Sequence, residues 1–256
     1  MKNLYLVRHG ESIQNVGLSD ALHIPDHAAY LTERGMYQAH AAGEFLAKAL
    51  KDEPPDYIAV YVSPYERTRQ TAKAILDHLT VSSVKEDEML TELQFGVFDG
   101  LSKAQAEERF PAEWAQFQAS RRYNGKFYAR RPGGESPLDC EIRQRLFLDS
   151  LRRDFAHGCP DHIIIVGHGA ALNILRKAVF GYSHEWYEAE PNPGNCSIQL
   201  LRLNNYGLWR SGRIGGDAAP TPKDEDAGYI YGGPAEKEGQ CTTLSLIHIS
   251  EPTRPY

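Results

Sequence analysis

The chain has 256 residues, of which 41% are hydrophobic and 24% are charged, so it can bury a full core. That composition excludes a disordered or fibrous protein. The formal net charge of −6 leaves no basic field over the whole molecule, which argues against a nucleic-acid-binding protein.

The first third of the chain alternates apolar runs with helical patterns. Residues 3–7 predict a strand, followed by a turn and then by a helix that Ser12 can cap. After Thr32, apolar or small residues three and four positions apart predict a helix with one buried face. Residues 57–62 predict a buried strand, and the next helix is expected to begin with Pro64 at its first position.

The alternation continues through the rest of the chain, apart from a largely helical insertion at about 102–135. A helix after Ser136 is predicted to bury one stripe of apolar residues, namely Leu138, Ile142, Leu146, Leu151 and Phe155. A further helix is expected over 171–180. The other predicted strands are 81–85, 162–166, 196–203 and 206–213. Such an order predicts a three-layer α/β/α sandwich around a mostly parallel, mixed sheet.

The end of the chain is read separately from the domain, which is expected to cover residues 1–213. Residues 214–243 are rich in glycine, proline and acidic side chains and predict a solvated tail. Residues 244–254 resemble a translated sequencing adapter, so 244–256 are expected to be an artefact. His248 and Cys241 then have no functional weight, and the natural C-terminus is unknown.

Cysteine usage and the N-terminus predict a cytoplasmic protein. The apolar run before Arg8 is too short for a signal sequence or a membrane span. No C-x-x-C pair indicates a zinc knuckle or a disulfide framework, and we expect free thiols in a reducing compartment. These are Cys140, Cys159, Cys196 and Cys241.

Two similar segments each end a predicted strand with His-Gly and lead into a helix: Leu6 to Gly10, and Ile165 to Gly169. If the two strands are neighbours, His9 and His168 meet at the carboxyl edge of the sheet, where open α/β sheets bind ligands. Taken alone, either histidine is explained equally well as an ordinary residue at the end of a strand and as a functional residue. Together they indicate a site.

Two arginines favour phosphate as the ligand of that site. Arg8 precedes the first histidine, and Arg67 lies in the first turns of the helix after a buried strand. A guanidinium fork and a helix start both suit phosphate oxygens. Taken alone, Arg67 reads as a surface residue of an Arg-Glu-Arg helix. A metal on His9, His168 and a carboxylate is disfavoured, because the arginines would repel a divalent cation.

The chain resembles the histidine phosphatase superfamily, the phosphoglycerate-mutase-like family, over residues 3 to about 203. The resemblance is carried in order by Arg8-His9-Gly10-Glu11-Ser12 with Asn15, Leu31 to Gly35 with Gln38-Ala39, Ser63 to Ala72, Glu92 to Gly96 with Asp99-Gly100, Pro132 to Ser136, and Gly167-His168-Gly169. It implies the phosphoglycerate mutase-like fold. Tyr123 to Pro137 and Asn192 to Ser197 look closest to broad-range acid phosphatase-like members.

The resemblance implies a phosphatase without metal or other cofactor. His9 would attack phosphorus and form a phosphohistidine, while Arg8, Arg67 and His168 bind the phosphate oxygens. Glu92 would be the general acid and base, although it also reads as one more exposed carboxylate of an acidic stretch.

Two further parts of the sequence carry open alternatives. Asn15 would add a phosphate contact or be a helix-start residue, and Glu135 and Ser136 are expected to cap the next helix. The basic and aromatic residues of the insertion, at 121–131, either cover the site or form a solvated loop.

Three functions fit these residues: a phosphatase, a mutase-type phosphotransferase and a phospholigand-binding module. In each the expected partner is a small phosphomonoester rather than a nucleic acid or a membrane. The protein could also form a homodimer. The mutases carry Glu-Arg-x-Tyr-Gly where this chain has Glu92-Leu93-Gln94-Phe95-Gly96, and a longer segment after the first motif, so we expect a phosphatase. Mutase-type phosphotransfer is the alternative. A non-catalytic phospholigand-binding module is disfavoured, because all five residues that the mechanism requires are present: Arg8, His9, Arg67, Glu92 and His168.

Overall fold

A six-stranded sheet forms the centre of the molecule in a computed structural model that describes residues 2–19, 22–156, 160–203 and 227–231. The strands are β1 (Lys2–Arg8), β2 (Ile58–Val62), β3 (Ser83–Glu86), β4 (His162–Gly167), β5 (Ile198–Leu203) and β6 (Ala227–Tyr231). Their spatial order is β3-β2-β4-β1-β5-β6. The first four run parallel, whereas β5 is antiparallel to β1 and β6 is antiparallel to β5.

Helices cover both faces of this sheet. They are α1 (Glu33–Ala49), α2 (Glu66–Leu76), α3 (Lys103–Arg109), α4 (Pro111–Asn124), α5 (Pro137–Ala156), α6 (Gly169–Phe180) and α7 (His184–Ala189). Ile164 and Val166 point to the core under α1 and α2, whereas Ile163 and Ile165 point to the core under α5 and α6. β4 is therefore buried along its length, and the predicted three-layer sandwich is confirmed.

The register of the parallel strands decides where the two histidines lie. Arg8 of β1 pairs with Gly167 of β4, and Val62 of β2 pairs with Val166. The residues after these strand ends therefore lie side by side at one edge of the sheet. The site described below is built on this edge.

The helix predicted after Ser12 is wrong. Residues 13–17 form turns, and Ser12 makes an isolated antiparallel bridge with Leu31. The Asn15 side chain accepts hydrogen bonds from the Ser12 backbone and hydroxyl, which favours a turn over a helix start, and Gly17 has a positive φ of 74°.

The helix predicted from Pro64 begins two residues later, at Glu66. Tyr65 is the residue that precedes the first turn, and Thr68 donates its hydroxyl to the carbonyls of Ser63 and Tyr65. The side chain of Ser63 is therefore available to the site at the sheet edge.

The predicted apolar stripe of α5 is also wrong. Leu138, Ile142 and Leu146 are 37%, 53% and 57% exposed, whereas Leu151 is fully buried. Steps of four keep the first three residues on one side, but Leu151 lies about 140° further round from Leu146. Among the described side chains, the residues that α5 does bury are Pro137, Cys140, Glu141, Gln144, Phe147, Leu148 and Leu151.

One strand lies inside the segment that the sequence predicted to be a solvated tail. Residues 227–231 form β6 on the edge of the sheet, because Tyr-Ile-Tyr is a run with high β-propensity despite its acidic surroundings. The strand predicted at 206–213 and the adapter-like residues 244–256 lie outside the described residues. No helix in the described part of the chain has the length and hydropathy needed to cross a membrane.

Candidate active site

His9 lies at the carboxyl end of β1, almost fully buried, with its backbone N–H donating to the carbonyl of Gly167 at 3.0 Å. Its Nδ1 is 2.7 Å from the carbonyl oxygen of Gly10. A carbonyl oxygen only accepts, so Nδ1 carries the proton and Nε2 has the lone pair. Burial, followed by the charges of Arg67 and Arg8, holds the pKa of His9 well below its usual range. His9 is therefore neutral, with the lone pair of Nε2 free of the Gly10 carbonyl.

His168 faces His9 across the site. The two ring centroids are 5.3 Å apart in an edge-on arrangement, and His168 is completely buried. Its Nε2 is 2.7 Å from the Ser63 hydroxyl, while its Nδ1 has no hydrogen-bond partner in the described part of the chain. Burial and then the charge of Arg67 hold the pKa of His168 well below its usual range. In the tautomer that accepts the Ser63 hydroxyl at Nε2, the Nδ1–H is left to donate to a ligand.

Arg67 is the buried cation of the site, at 1% exposure, which excludes the surface-residue interpretation. Its Nη1 donates to the Asp26 carbonyl at 2.5 Å and lies 2.9 Å from a carboxylate oxygen of Asp26. The guanidinium also lies over the Tyr65 ring, 5.0 Å from its centroid. Arg67 Nε has no hydrogen-bond partner among the residues described. A buried N–H of this kind is suited to an anionic oxygen.

Arg8 is fixed at the opposite side of the His-Gly turn. Its Nη1 donates to the carbonyl of Pro193 at 2.6 Å. The absence of a side chain at Gly169 leaves room for Arg8 and Asn192, because a Cβ on Gly169 would lie 3.5 Å from Arg8 Nε and 3.2 Å from the Asn192 side chain. The glycine after His168 thus lets the arginine, the loop and the start of α6 meet closely.

Glu92 is held at the N-terminus of α6. Its carboxylate accepts backbone N–H bonds from Leu93 at 2.8 Å, Ala171 at 3.0 Å and Ala170 at 3.4 Å. Because His168 precedes this same helix, Glu92 lies on the histidine side of the site. The first N–H groups of α6 orient the carboxylate. Glu92 is thus not an unstructured member of an acidic run.

Arg143 of α5 positions the Glu92 segment, and sequence reasoning missed it. It donates to the carbonyls of Met89 at 2.6 Å and Glu92 at 3.0 Å, and to both carboxylate oxygens of Glu135. Glu135 also accepts from the backbone of Gln94. The capping role predicted for Glu135 is therefore wrong, although Ser136 does accept from the Asp139 backbone at the start of α5. An arginine one helix away leaves no local sequence signal.

Close backbone contacts explain the glycines of the first motifs. A Cβ on Gly10 would lie 2.4 Å from the Gly35 carbonyl oxygen, and one on Gly35 would lie 2.0 Å from that of Glu11. Glu11 accepts the Thr32 hydroxyl at 2.8 Å. The start of α1 is thereby locked against the turn that carries His9.

Asn15 is exposed at the rim of the site. Its Oδ1 accepts from the Ser12 backbone and from Asn195 Nδ2 at 3.1 Å each, and Asn195 also donates to the carbonyl of His9 at 3.0 Å. These bonds orient the Asn15 amide so that its nitrogen is the end left for a ligand. Asn195 is a further residue that the sequence did not single out as part of the site.

Asp99 is a half-buried carboxyl near Arg67 and Glu92. Burial, and then the nearby charge of Asp26, raise the pKa of Asp99 to about 6, against the opposing influence of Arg67. Gln14 donates to it at 3.4 Å. The site thus holds one carboxyl that titrates near neutral pH.

The basic insertion divides into buried and exposed parts. Phe127 is 2% exposed and packs with Leu93, and Arg131 lies over the Phe95 ring at 4.4 Å from its centroid. Tyr123 is 82% exposed, and Arg130 is paired with Asp139. The insertion is therefore packed against the Glu92 segment rather than wholly solvated, and substrate contact stays a prediction.

The described residues contain no group of three or more His, Cys, Asp or Glu side chains arranged to hold a metal ion. The cations that lower the pKa of His9 or His168 are the guanidinium groups of Arg8, Arg67 and Arg143. The site is built to receive an anion.

Comparison with known proteins agrees with this geometry. The sequence profile of the histidine phosphatase superfamily (branch 1) matches residues 4–214. The chain is 35% identical over 219 residues to phosphoglycerate mutase-like protein AT74 of Arabidopsis thaliana, covering 80% of this chain and 66% of that protein. It is 30% identical over 182 residues to phosphoserine phosphatase 1 of Hydrogenobacter thermophilus, covering 71% and 77%.

A solved structure shares the fold. It is a mycobacterial glucosyl-3-phosphoglycerate phosphatase in complex with inorganic phosphate, similar to this chain with a TM-score of 0.59 and 26% identity over 78% of this chain and 89% of that one. The profile match spans most of the present sequence, from β1 to beyond β5. The chain therefore belongs to the histidine phosphatase superfamily, branch 1.

Proposed function

We propose that the protein is a metal-independent phosphomonoester hydrolase that works through a phosphohistidine on His9. The observation that carries the proposal is the neutral His9, whose Nδ1 is engaged by the Gly10 carbonyl and whose Nε2 has the lone pair, between Arg8 and Arg67. Membership of a superfamily with phosphatase-named relatives supports it.

In the first step, His9 Nε2 attacks phosphorus in line and the bond from phosphorus to the ester oxygen breaks. Glu92 supplies a proton to the departing oxygen, so the alcohol leaves neutral. In this step Glu92 acts in its protonated form, and the first N–H groups of α6 hold its carboxyl group in place.

In the second step, Glu92 is already ionised and takes a proton from water as the water oxygen attacks phosphorus. The phosphorus–nitrogen bond breaks, its electron pair returns to Nε2, and inorganic phosphate is released. The helix-start hydrogen bonds of Glu92 suit this base role directly.

The charge of the transferring phosphoryl group is met by fixed cations and donors. Arg8 and Arg67 supply guanidinium groups, and both Arg67 Nε–H and the Nδ1 of His168, which donates in the tautomer that accepts from Ser63, are buried without partners in the described residues. Such preorganised donors stabilise the equatorial oxygens without a metal ion.

Phosphotransfer between phosphoglycerates is the second candidate, favoured by the name of the Arabidopsis relative. Both reactions share the phosphohistidine and differ only in whether water or a second alcohol receives the phosphoryl group. A mutase would interconvert phosphoglycerates with little release of phosphate.

The test is phosphate release from 4-nitrophenyl phosphate at pH 4 to 8 with a chelator present, for the wild type and His9→Ala. We expect release by the wild type and at least about a hundredfold loss in the variant. Activity that requires an added divalent ion and survives His9→Ala would overturn the proposal. Phosphoglycerate interconversion without phosphate release would favour the mutase, and vanadate binding without turnover would favour a binding module.

A further inference from the structure

A pair of histidines lies on the outer surface of the α1–α2 layer, outside the proposed active site. His40 is in α1, and His78 follows the C-terminal end of α2, the end opposite to Arg67. The pair is exposed, and nothing in the proposed reaction uses it.

The two imidazoles face one another closely. His40 Nδ1 is 3.1 Å from His78 Nε2, and the ring centroids are 5.4 Å apart with the planes at 84°. Neither ring makes another hydrogen bond or ion pair with the residues that the structure describes.

Rigid packing holds the two ring positions at this separation. A Cβ on Gly43 of α1 would lie 2.9 Å from both Cδ2 of His78 and the Cα of Ile75. The absence of a side chain at Gly43 therefore lets α1 and α2 approach until His78 comes within reach of His40. The pair is held by two packed helices rather than by a loose loop.

We propose that His40 and His78 form a two-histidine site for a divalent transition-metal ion such as Ni²⁺, Zn²⁺ or Cu²⁺. With metal–nitrogen bonds of about 2.0–2.1 Å, two nitrogens 3.1 Å apart subtend about 95–100° at the metal, between the octahedral and tetrahedral angles. A small rotation of the two exposed rings directs both lone pairs to one point.

Metal binding replaces the hydrogen bond between the two rings. The ring that donates in this bond transfers its proton through solvent to its own outer nitrogen, and the ion then takes the lone pairs of His40 Nδ1 and His78 Nε2. The described residues provide no third ligand in the cluster, so water completes the coordination shell. Imidazole ligands favour Cu²⁺ over Ni²⁺ and Zn²⁺, and exclude Mg²⁺ and Ca²⁺.

The test is calorimetric titration of the full chain with NiCl₂, with MgCl₂ as the control ion, for the wild type, His40→Ala and His78→Ala. His184→Ala is the matched control, because His184 is also an exposed helix histidine. We expect one Ni²⁺ per wild-type chain, at least about tenfold weaker binding in either pair variant because the chelate is lost, and unchanged binding in His184→Ala.

Two further readouts keep the result unambiguous. Thermal melting should shift upward with Ni²⁺ in the wild type and in His184→Ala but much less in the two pair variants, because only the folded state holds both ring nitrogens of the pair together. Hydrolysis of 4-nitrophenyl phosphate should be the same in His40→Ala, His78→Ala and the wild type. Equal Ni²⁺ affinity in the wild type and both pair variants, or no binding at millimolar Ni²⁺, would overturn the site whatever the catalytic activity proves to be.

Discussion

At the scale of single residues, protonation states rather than residue identities determine what the site can do. His9 and His168 are the same residue type at equivalent strand ends, yet one has a carbonyl on Nδ1 and the other a hydroxyl on Nε2. The carbonyl fixes the proton of His9 on Nδ1 and leaves the lone pair on Nε2, whereas the hydroxyl pairs with His168 as donor or acceptor and leaves its Nδ1 facing the site. The sequence predicts both residues and cannot predict this difference, because the partners come from backbone geometry and from Ser63.

Glu92→Gln tests the acid and base roles at this scale. We expect hydrolysis of glycerol phosphate to fall about 10²- to 10⁴-fold, and formation of phosphohistidine from 4-nitrophenyl phosphate to fall much less, because its leaving group needs no proton. Rapid-quench measurement of enzyme-bound phosphate checks this, since the amide cannot activate water and the intermediate should accumulate.

Glu88→Gln is the matched control, because Glu88 is an exposed carboxylate of the same acidic stretch. Equal slowing of both substrates by Glu92→Gln, with no bound phosphate, would contradict the assigned roles.

At the scale of elements, the site is assembled by contacts between segments that are remote in the chain. α5 carries Arg143, which holds the carbonyls of Met89 and Glu92, and α6 orients the Glu92 carboxylate through its first N–H groups. The sequence predicts α5 and α6 from their apolar patterns. It cannot identify Arg143, because a single arginine on a helix surface has the same local pattern as Arg145, which only pairs with Glu141 one turn away.

Arg143→Met tests whether α5 positions Glu92. We expect about a ten- to hundredfold loss of kcat for glycerol phosphate and a smaller loss for 4-nitrophenyl phosphate, the same selectivity as for Glu92→Gln. Steady-state kinetics on both esters checks this, and Arg145→Met should leave both rates near the wild type.

The double variant Arg143→Met, Glu92→Gln decides whether the two residues act as a unit. It should be no slower than Glu92→Gln alone, because Arg143 acts through Glu92. Additive losses would mean that Arg143 serves the site by a separate route.

At the scale of the whole molecule, two buried neutral histidines make folding stability depend on pH. A lowered pKa in the folded state means that the unfolded chain binds protons more readily, so stability is complete above the unfolded value of about 6.5 and is lost as pH falls below it. We expect each histidine to remove up to about 2 kcal/mol between pH 6.5 and pH 5.

Urea unfolding of the wild type, His9→Gln and the exposed-site control His184→Gln at pH 5.0 and 7.5 checks this dependence. His9→Gln should lose less stability in acid than the wild type, whereas His184→Gln should behave like it. Asp99 acts in the opposite direction, because its pKa near 6 means that acid relieves a buried charge, so all comparisons must retain Asp99. An identical acid response in all three proteins would contradict the neutral, buried state of His9.

The architecture as a whole was largely predictable, because an unbroken apolar run such as that of β4 predicts a strand in a parallel sheet with helices packed on both faces. The failures have local physical causes. The chain turns after Ser12, rather than forming a helix, because the Asn15 side chain accepts a hydrogen bond from the Ser12 backbone. The predicted buried face of α5 is wrong because residues spaced four apart from Leu138 lie on a different side of the helix from Leu151. The strand β6 has only five residues, and the acidic residues around it led the sequence to predict a solvated tail instead of a strand.

The central position of β1 has a consequence for synthesis. β1 pairs with β4 on one side and β5 on the other, so the first strand made lies between two of the last. During translation one edge of β1 stays open until Gly167 has left the ribosome and the other until Leu203 has done so, and open edges invite pairing with other chains. The nascent polypeptide should therefore benefit from chaperones that shield β1, and His9 and His168 can meet only after β4 has been made.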